Sequence, residues 1–94
     1  MVKVAAKTVP TFVAELMAAL EKRIPASTTD AERVVGLDHY FWRVAVLSEH
    51  FSDMDFDDRH DLVWGIAREV VAEHRLRRIS MILCLTPEEL RGED

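Results

Sequence analysis

"HYFWRVAVLS", His39 to Ser48, is the strongest strand signal in the chain. Aromatic and β-branched residues crowd it, and it contains neither a helix start nor a helix stop. As a strand it alternates: His39, Phe41, Arg43 and Ala45 point one way, and Tyr40, Trp42, Val44 and Val46 the other. Just upstream, "ASTTDAERVVG" turns from polar to β-branched and places a first strand within Thr28–Val35. Gly36, Leu37 and Asp38 between the two runs read as a turn, so the pair forms a hairpin.

Helices are expected on either side. Residues 1–7 read as a loose arm, Thr8 as a helix cap and Pro10 as part of the first turn, where a missing N–H costs nothing. Phe12, Val13, Leu16, Ala19, Leu20 and Ile24 then recur at helical spacing, with Glu15, Glu21, Lys22 and Arg23 on the other face. Pro25 ends that helix. After the hairpin a helix of about five turns is expected, its buried stripe marked by Phe56, Val63, Ile66, Ala67, Val70, Val71 and His74. "RISMILCL" is a short apolar run that fits a strand buried on at least one face. In "TPEEL", Thr86 caps a last helical turn, Pro87 opens it and Glu89 completes a capping box. The order is αββαβα: an α+β fold in one domain, 1–94. Its three-stranded sheet is mixed, because a helical crossover joins parallel strands, and both long helices pack on one face.

Composition narrows the function classes. The 94 residues carry a formal charge of −5, which disfavours binding to phosphate backbones. Protonating the four histidines would bring the charge to about −1 near pH 5. The single cysteine, Cys84, excludes an internal disulfide and a thiolate zinc cage. With no long apolar run, the chain reads as a cytoplasmic protein without a membrane span.

"FSDMDFDDRH", Phe51 to His60, copies the start of a calcium loop at Asp53, Asp55 and Asp57. The copy fails at the sixth position, Asp58 instead of Gly, and at the twelfth, Trp64 instead of Glu. Asp55 or Asp57 as a helix cap, with neighbouring carboxylates at the positive end of the dipole, is the better reading.

The same stretch carries a resemblance. "VAVLSEHFSDMDFDDRHDLVW" resembles the BolA-like family in Ser48, Phe51, Arg59, His60, Val63 and Trp64, and "CLTPEEL" matches its closing strand and turn through Thr86, Pro87, Glu88 and Glu89. The similarity is strongest over residues 43–90. It implies an αββαβα fold like that of class II KH domains. It also implies a setting of monothiol glutaredoxins and a shared [2Fe–2S] cluster, and in some members DNA binding. The family's hallmark cluster ligand, a His entering the last strand, corresponds to Arg78, which cannot ligate iron. The second ligand, a Cys or His between the first two strands, has no counterpart in Ala26–Asp38. The family's His inside the second strand is Phe41, and its Gly after Phe51 is Asp53.

The chain is therefore expected to hold no metal or cofactor. His39 and Cys84 are the substitute ligands to weigh, Cys84 more plainly as a small buried hydrophobe. No nucleophile arrangement or phosphate-cradling Gly loop points to an enzyme. "HRLRR" leaves His74, Arg75, Arg77 and Arg78 as a patch for a protein partner or nucleic acid, beyond what compensation of a helix dipole explains. Three phosphate contacts there would give a salt slope of only about −2.7, so nucleic-acid binding is expected to be weak. The expected role is a non-catalytic adapter or regulator acting through protein contacts. The alternatives are a KH-like nucleic-acid binder and a homodimeric structural module.

Overall fold

The computed structural model of the protein describes residues 9–92. Helix α1 spans Thr11–Arg23 and leads into strand β1, Thr28–Val35, and strand β2, Tyr40–Leu47. A 3-10 turn, Glu49–Asp53, precedes helix α2, Phe56–Val70. A single turn, α3 (Glu73–Leu76), strand β3 (Ile79–Leu85) and a last turn, α4 (Pro87–Leu90), complete the chain. The sheet order is β1-β2-β3, with β1 antiparallel and β3 parallel to β2. This is the mixed αββαβα arrangement, with α3 as an added turn. The expected cap Thr8 and the arm 1–7 lie outside the described residues. Pro10 is the residue before the helix, not part of its first turn.

The alternation of β2 builds the core. Trp42, Val44 and Val46 face the helices, next to Ala31 on one side and Ile82 and Cys84 on the other. Phe12, Val13, Leu16 and Leu20 of α1 and Val63, Ile66 and Ala67 of α2 close over them. Tyr40 shares their side of β2 but lies beyond the core, 48% exposed, and takes the Arg33 guanidinium 4.3 Å from its ring centre. The Glu21 carboxylate ties α1 to β1, accepting from the Thr29 N–H at 3.1 Å and its hydroxyl at 2.5 Å.

The β1–β2 turn needs its glycine. Gly36 N–H donates to the His39 carbonyl at 3.0 Å, and a Cβ there would stand 2.7 Å from that oxygen and from the Phe41 ring. A bulge opposite Trp42–Arg43 breaks the alternation of β3. It lets Ile79 and Ile82, three apart, both reach the core while Ser80 and Met81 stay outside.

The expected five-turn helix is two helices. The backbone turns extended at Val71 and Ala72, where a β-branched pair ends α2. The break starts the return that brings β3 back parallel to β2. It leaves Val71 buried but puts His74 on the surface, off the stripe on which it was expected.

Among the described residues, no long helix covers the sheet's other face. Ala45, Leu47, Leu83 and Leu85 line a shallow groove of about 270 Å³ there, flanked by Thr28, Asp30 and Leu90. Leu83 is 41% and Met81 44% exposed.

Candidate functional site

The acidic stretch starts a helix. Asp55 caps α2, its carboxylate accepting from the Asp58 N–H at 2.9 Å, and Asp57 and Asp58 sit in the first turn. Phe56, expected to lead the buried stripe, is 69% exposed. Arg59 takes the inner position instead, with the Phe56 ring 5.0 Å from its guanidinium and the Phe51 ring 5.6 Å away.

Arg59 is the centre of a connected cluster, and only 5% of its surface is exposed. Its Nε donates to the Met54 carbonyl at 3.0 Å, and Nη1 donates to the Cys84 carbonyl at 3.2 Å. Nη1 and Nη2 grip the two oxygens of Glu89 at 2.8 and 3.2 Å, the planar fork that only arginine offers. Glu89 serves two masters: it also accepts from the Thr86 N–H at 2.9 Å, while its own N–H donates to the Thr86 hydroxyl at 3.2 Å. The capping box expected in "TPEEL" is thus present, and the arginine is built onto it. The Arg59 hydrogen bonds, followed by those from Thr86, hold the Glu89 carboxyl down at about 2.

Ser48 joins from the other side. Its hydroxyl donates to the Pro25 carbonyl at 2.6 Å and accepts from the His50 N–H at 3.0 Å. The Phe51 N–H donates to the Ser48 carbonyl at 3.2 Å, and Phe51 and Val63 are both fully buried. Of the remaining motif positions, His60 is exposed and rests on the half-buried Trp64 ring at 5.9 Å, Pro87 is the first residue of α4, and Glu88 faces solvent. Most of the motif is therefore a brace between α2 and the end of β3. The Arg59–Glu89 pair joins residues 30 apart in sequence, so no local spacing announces it.

The substitute ligands do not meet. His39 packs on Phe41 at the hairpin turn, ring centres 4.7 Å apart. Cys84 lies beside Val46, near the far end of β2, roughly 20 Å away at strand rise. Among the described residues, no three His, Cys, Asp or Glu side chains gather as metal ligands. Cys84 is 7% exposed, and burial pushes its thiol up to about 11, against the pull of the nearby Arg59 charge. Only about one molecule in a thousand would carry the reactive thiolate at pH 8. A disulfide reagent at that pH is expected to label the folded protein at least a hundredfold more slowly than the urea-unfolded chain. Equal rates would place the sulfur at the surface.

His74, Arg75 and Arg78 line a cavity of about 270 Å³ together with Phe12. The Arg75 guanidinium lies 5.5 Å over that ring. Arg77, in the same turn, is exposed. The Arg78 carbonyl accepts from the Trp42 N–H at 2.7 Å, which fixes the patch at the hairpin-turn end of β2. Ser48 N–H donates to the Leu85 carbonyl at the other end, next to the aspartates. The molecule is electrically two-ended: basic where β3 enters the sheet, acidic where β2 leaves it. The basic end also displays Val35, Leu37 and Tyr40, all exposed. Among the described residues, no helix is long and apolar enough to cross a membrane.

No family model matches the chain, and no curated protein matches it in sequence. Among solved structures, the solution structure of the XC975 protein matches with a TM-score of 0.52 at 20% sequence identity, covering 85% of this chain and 94% of that one. The chain therefore shares the α+β fold of that small protein.

Proposed function

We propose that the protein is a BolA-like, non-catalytic adapter or regulator that acts through protein contacts, in an iron–sulfur or redox setting, without ligating a cluster itself. The observation that carries this reading is the brace: Ser48, Phe51, Arg59, Glu89 and Thr86, which bear the sequence resemblance, are linked one to the next, and Val63 shares the core with Phe51. The contact surface is the basic end. Exposed apolar side chains at Val35, Leu37 and Tyr40 stand beside arginines, the mixture of an apolar centre and a cationic rim that suits an acidic protein surface. Arg78 occupies the position of the family's cluster ligand, so the same end would meet the partner while offering no bond to iron. By resemblance the partner to try first is a monothiol glutaredoxin.

The test mixes the purified protein with such a glutaredoxin, apo and cluster-loaded, and follows both amide shifts and visible circular dichroism. Shifts are expected at residues 35–40 and 77–78, and no new cluster spectrum. Leu37→Asp is expected to weaken association about tenfold, the loss typical of one apolar contact residue. A stable new spectrum that vanishes in His39→Ala or Cys84→Ser would overturn the absence of ligation. No association at several hundred micromolar would overturn the partner.

A further inference from the structure

We propose that the cavity formed by Phe12, His74, Arg75 and Arg78 binds a dianionic phosphoryl group carried on a small molecule. The site shares Arg78 with the proposed partner surface but needs no partner to bind its ligand.

The charges there have no ion-pair partner among the described residues. The ion pairs among the described residues use Arg23 with Glu69, Arg43 with Glu32, and Arg59 with Glu89, and none involves Arg75 or Arg78. Among the described residues, none that lines the cavity is acidic. Dipole compensation does not account for the arginines either. Helix α2 ends at Val70 with Arg68 in its last turn, and α3 is only four residues long, too short for a sizeable dipole. Two fixed positive charges thus converge on one space with no counter-charge among the described residues.

The geometry selects the ligand. Arg75 is laid over Phe12, which restricts its plane and leaves the fork free to donate. A carboxylate monoanion would balance one guanidinium; a phosphoryl dianion engages both, with oxygens to spare for His74. Phe12 belongs to the first turn of α1, which has Pro10 as its capping residue, no side-chain cap among the described residues and no acidic residue. The positive end of a 13-residue helix adds to the same field. A polymer is a poorer match: the cavity is a single compartment at one end of an acidic protein, not a track along which successive phosphates could lie.

The experiment is an amide-shift titration of the full chain at pH 7.5 and constant ionic strength. The probes are inorganic phosphate, glycerol phosphate, acetate and a 5′-phosphorylated oligonucleotide. Saturable shifts at Thr11–Val13 and at 74–78 are expected for the first two probes and not for acetate. Arg75→Gln/Arg78→Gln should weaken them about tenfold or more, as loss of charge-assisted hydrogen bonds requires, while shifts elsewhere stay native. Equal effects of acetate and phosphate, shifts that never saturate, or binding untouched by the double substitution would overturn the site. An oligonucleotide affinity that climbs with length well beyond that of glycerol phosphate would overturn the small-molecule reading.

Discussion

Phe51→Ala is expected to lower the unfolding free energy by about 3–5 kcal/mol, the usual cost of emptying a fully buried aromatic site. Phe51 has no exposed surface, and it sits where the 3-10 turn passes beneath the start of α2. The void cannot refill cheaply, because Arg59 is held in place from above by three separate acceptors. Domains of this size have only about 5–15 kcal/mol in total, so the variant should sit near the edge of folding. Phe51→Leu, which keeps most of the volume, should lose much less, about 1.5 kcal/mol or under. Urea unfolding followed by the fluorescence of Trp42 and Trp64 measures both. A loss below 1 kcal/mol for the alanine variant, taken as about the mean for any substitution, would mean that Phe51 is not a core anchor.

The second large effect is expected at Arg59. Arg59→Met keeps a similar stem but leaves the Met54 and Cys84 carbonyls without their donor, at about 1–3 kcal/mol each. A total of about 2–6 kcal/mol follows, before any change in Glu89 is counted. The pair also predicts an acid dependence. The folded Glu89 carboxyl is held at about 2, below its ordinary 4.5, so the folded state binds the proton less readily than the unfolded one. The associated stability is complete above the ordinary value and is lost as pH falls from about 4.5 towards 2. Water screens this partly exposed carboxylate, so the effect is modest. In Glu89→Gln the slope of stability against pH in that window should flatten; an unchanged slope would assign the acid sensitivity to other groups.

Much of the fold was legible because the hydrophobic code is local. The period-2 run from Tyr40 to Leu47 set which side of the sheet is buried, and the spacing of Leu16, Leu20, Val63 and Ile66 did the same for the helices. Errors came where an element runs past the core. Phe56 has the right spacing, but it lies at a helix end and packs on Arg59 rather than on the core. Val70 and Val71 continue an apolar pattern through a break that serves the path of the chain rather than any helix stop signal. The β3 bulge likewise has no marker in "RISM", since both registers bury an isoleucine. The brace was legible only in outline: Thr86 and Glu89 announce their cap, but the meeting of Glu89 with Arg59 depends on the crossover bringing distant segments together. The basic cavity was visible as a cluster of arginines and invisible as a space, because Phe12 comes from the other end of the chain.

The Arg59 fork has a topological consequence. Its acceptors at Cys84 and Glu89 lie 25 and 30 residues downstream, so it fastens the entry of the α2–β3 segment to its exit. Closing a loop of that length is an entropic cost that grows only slowly with length and that disulfides meet in many small domains. This chain, with its one cysteine buried and unpaired, uses a charged staple in that place. A covalent staple answers to reductants; this one answers to acid. The integrity of the crossover is thereby insulated from the redox state of its surroundings, a useful property for a protein whose proposed setting is itself redox chemistry.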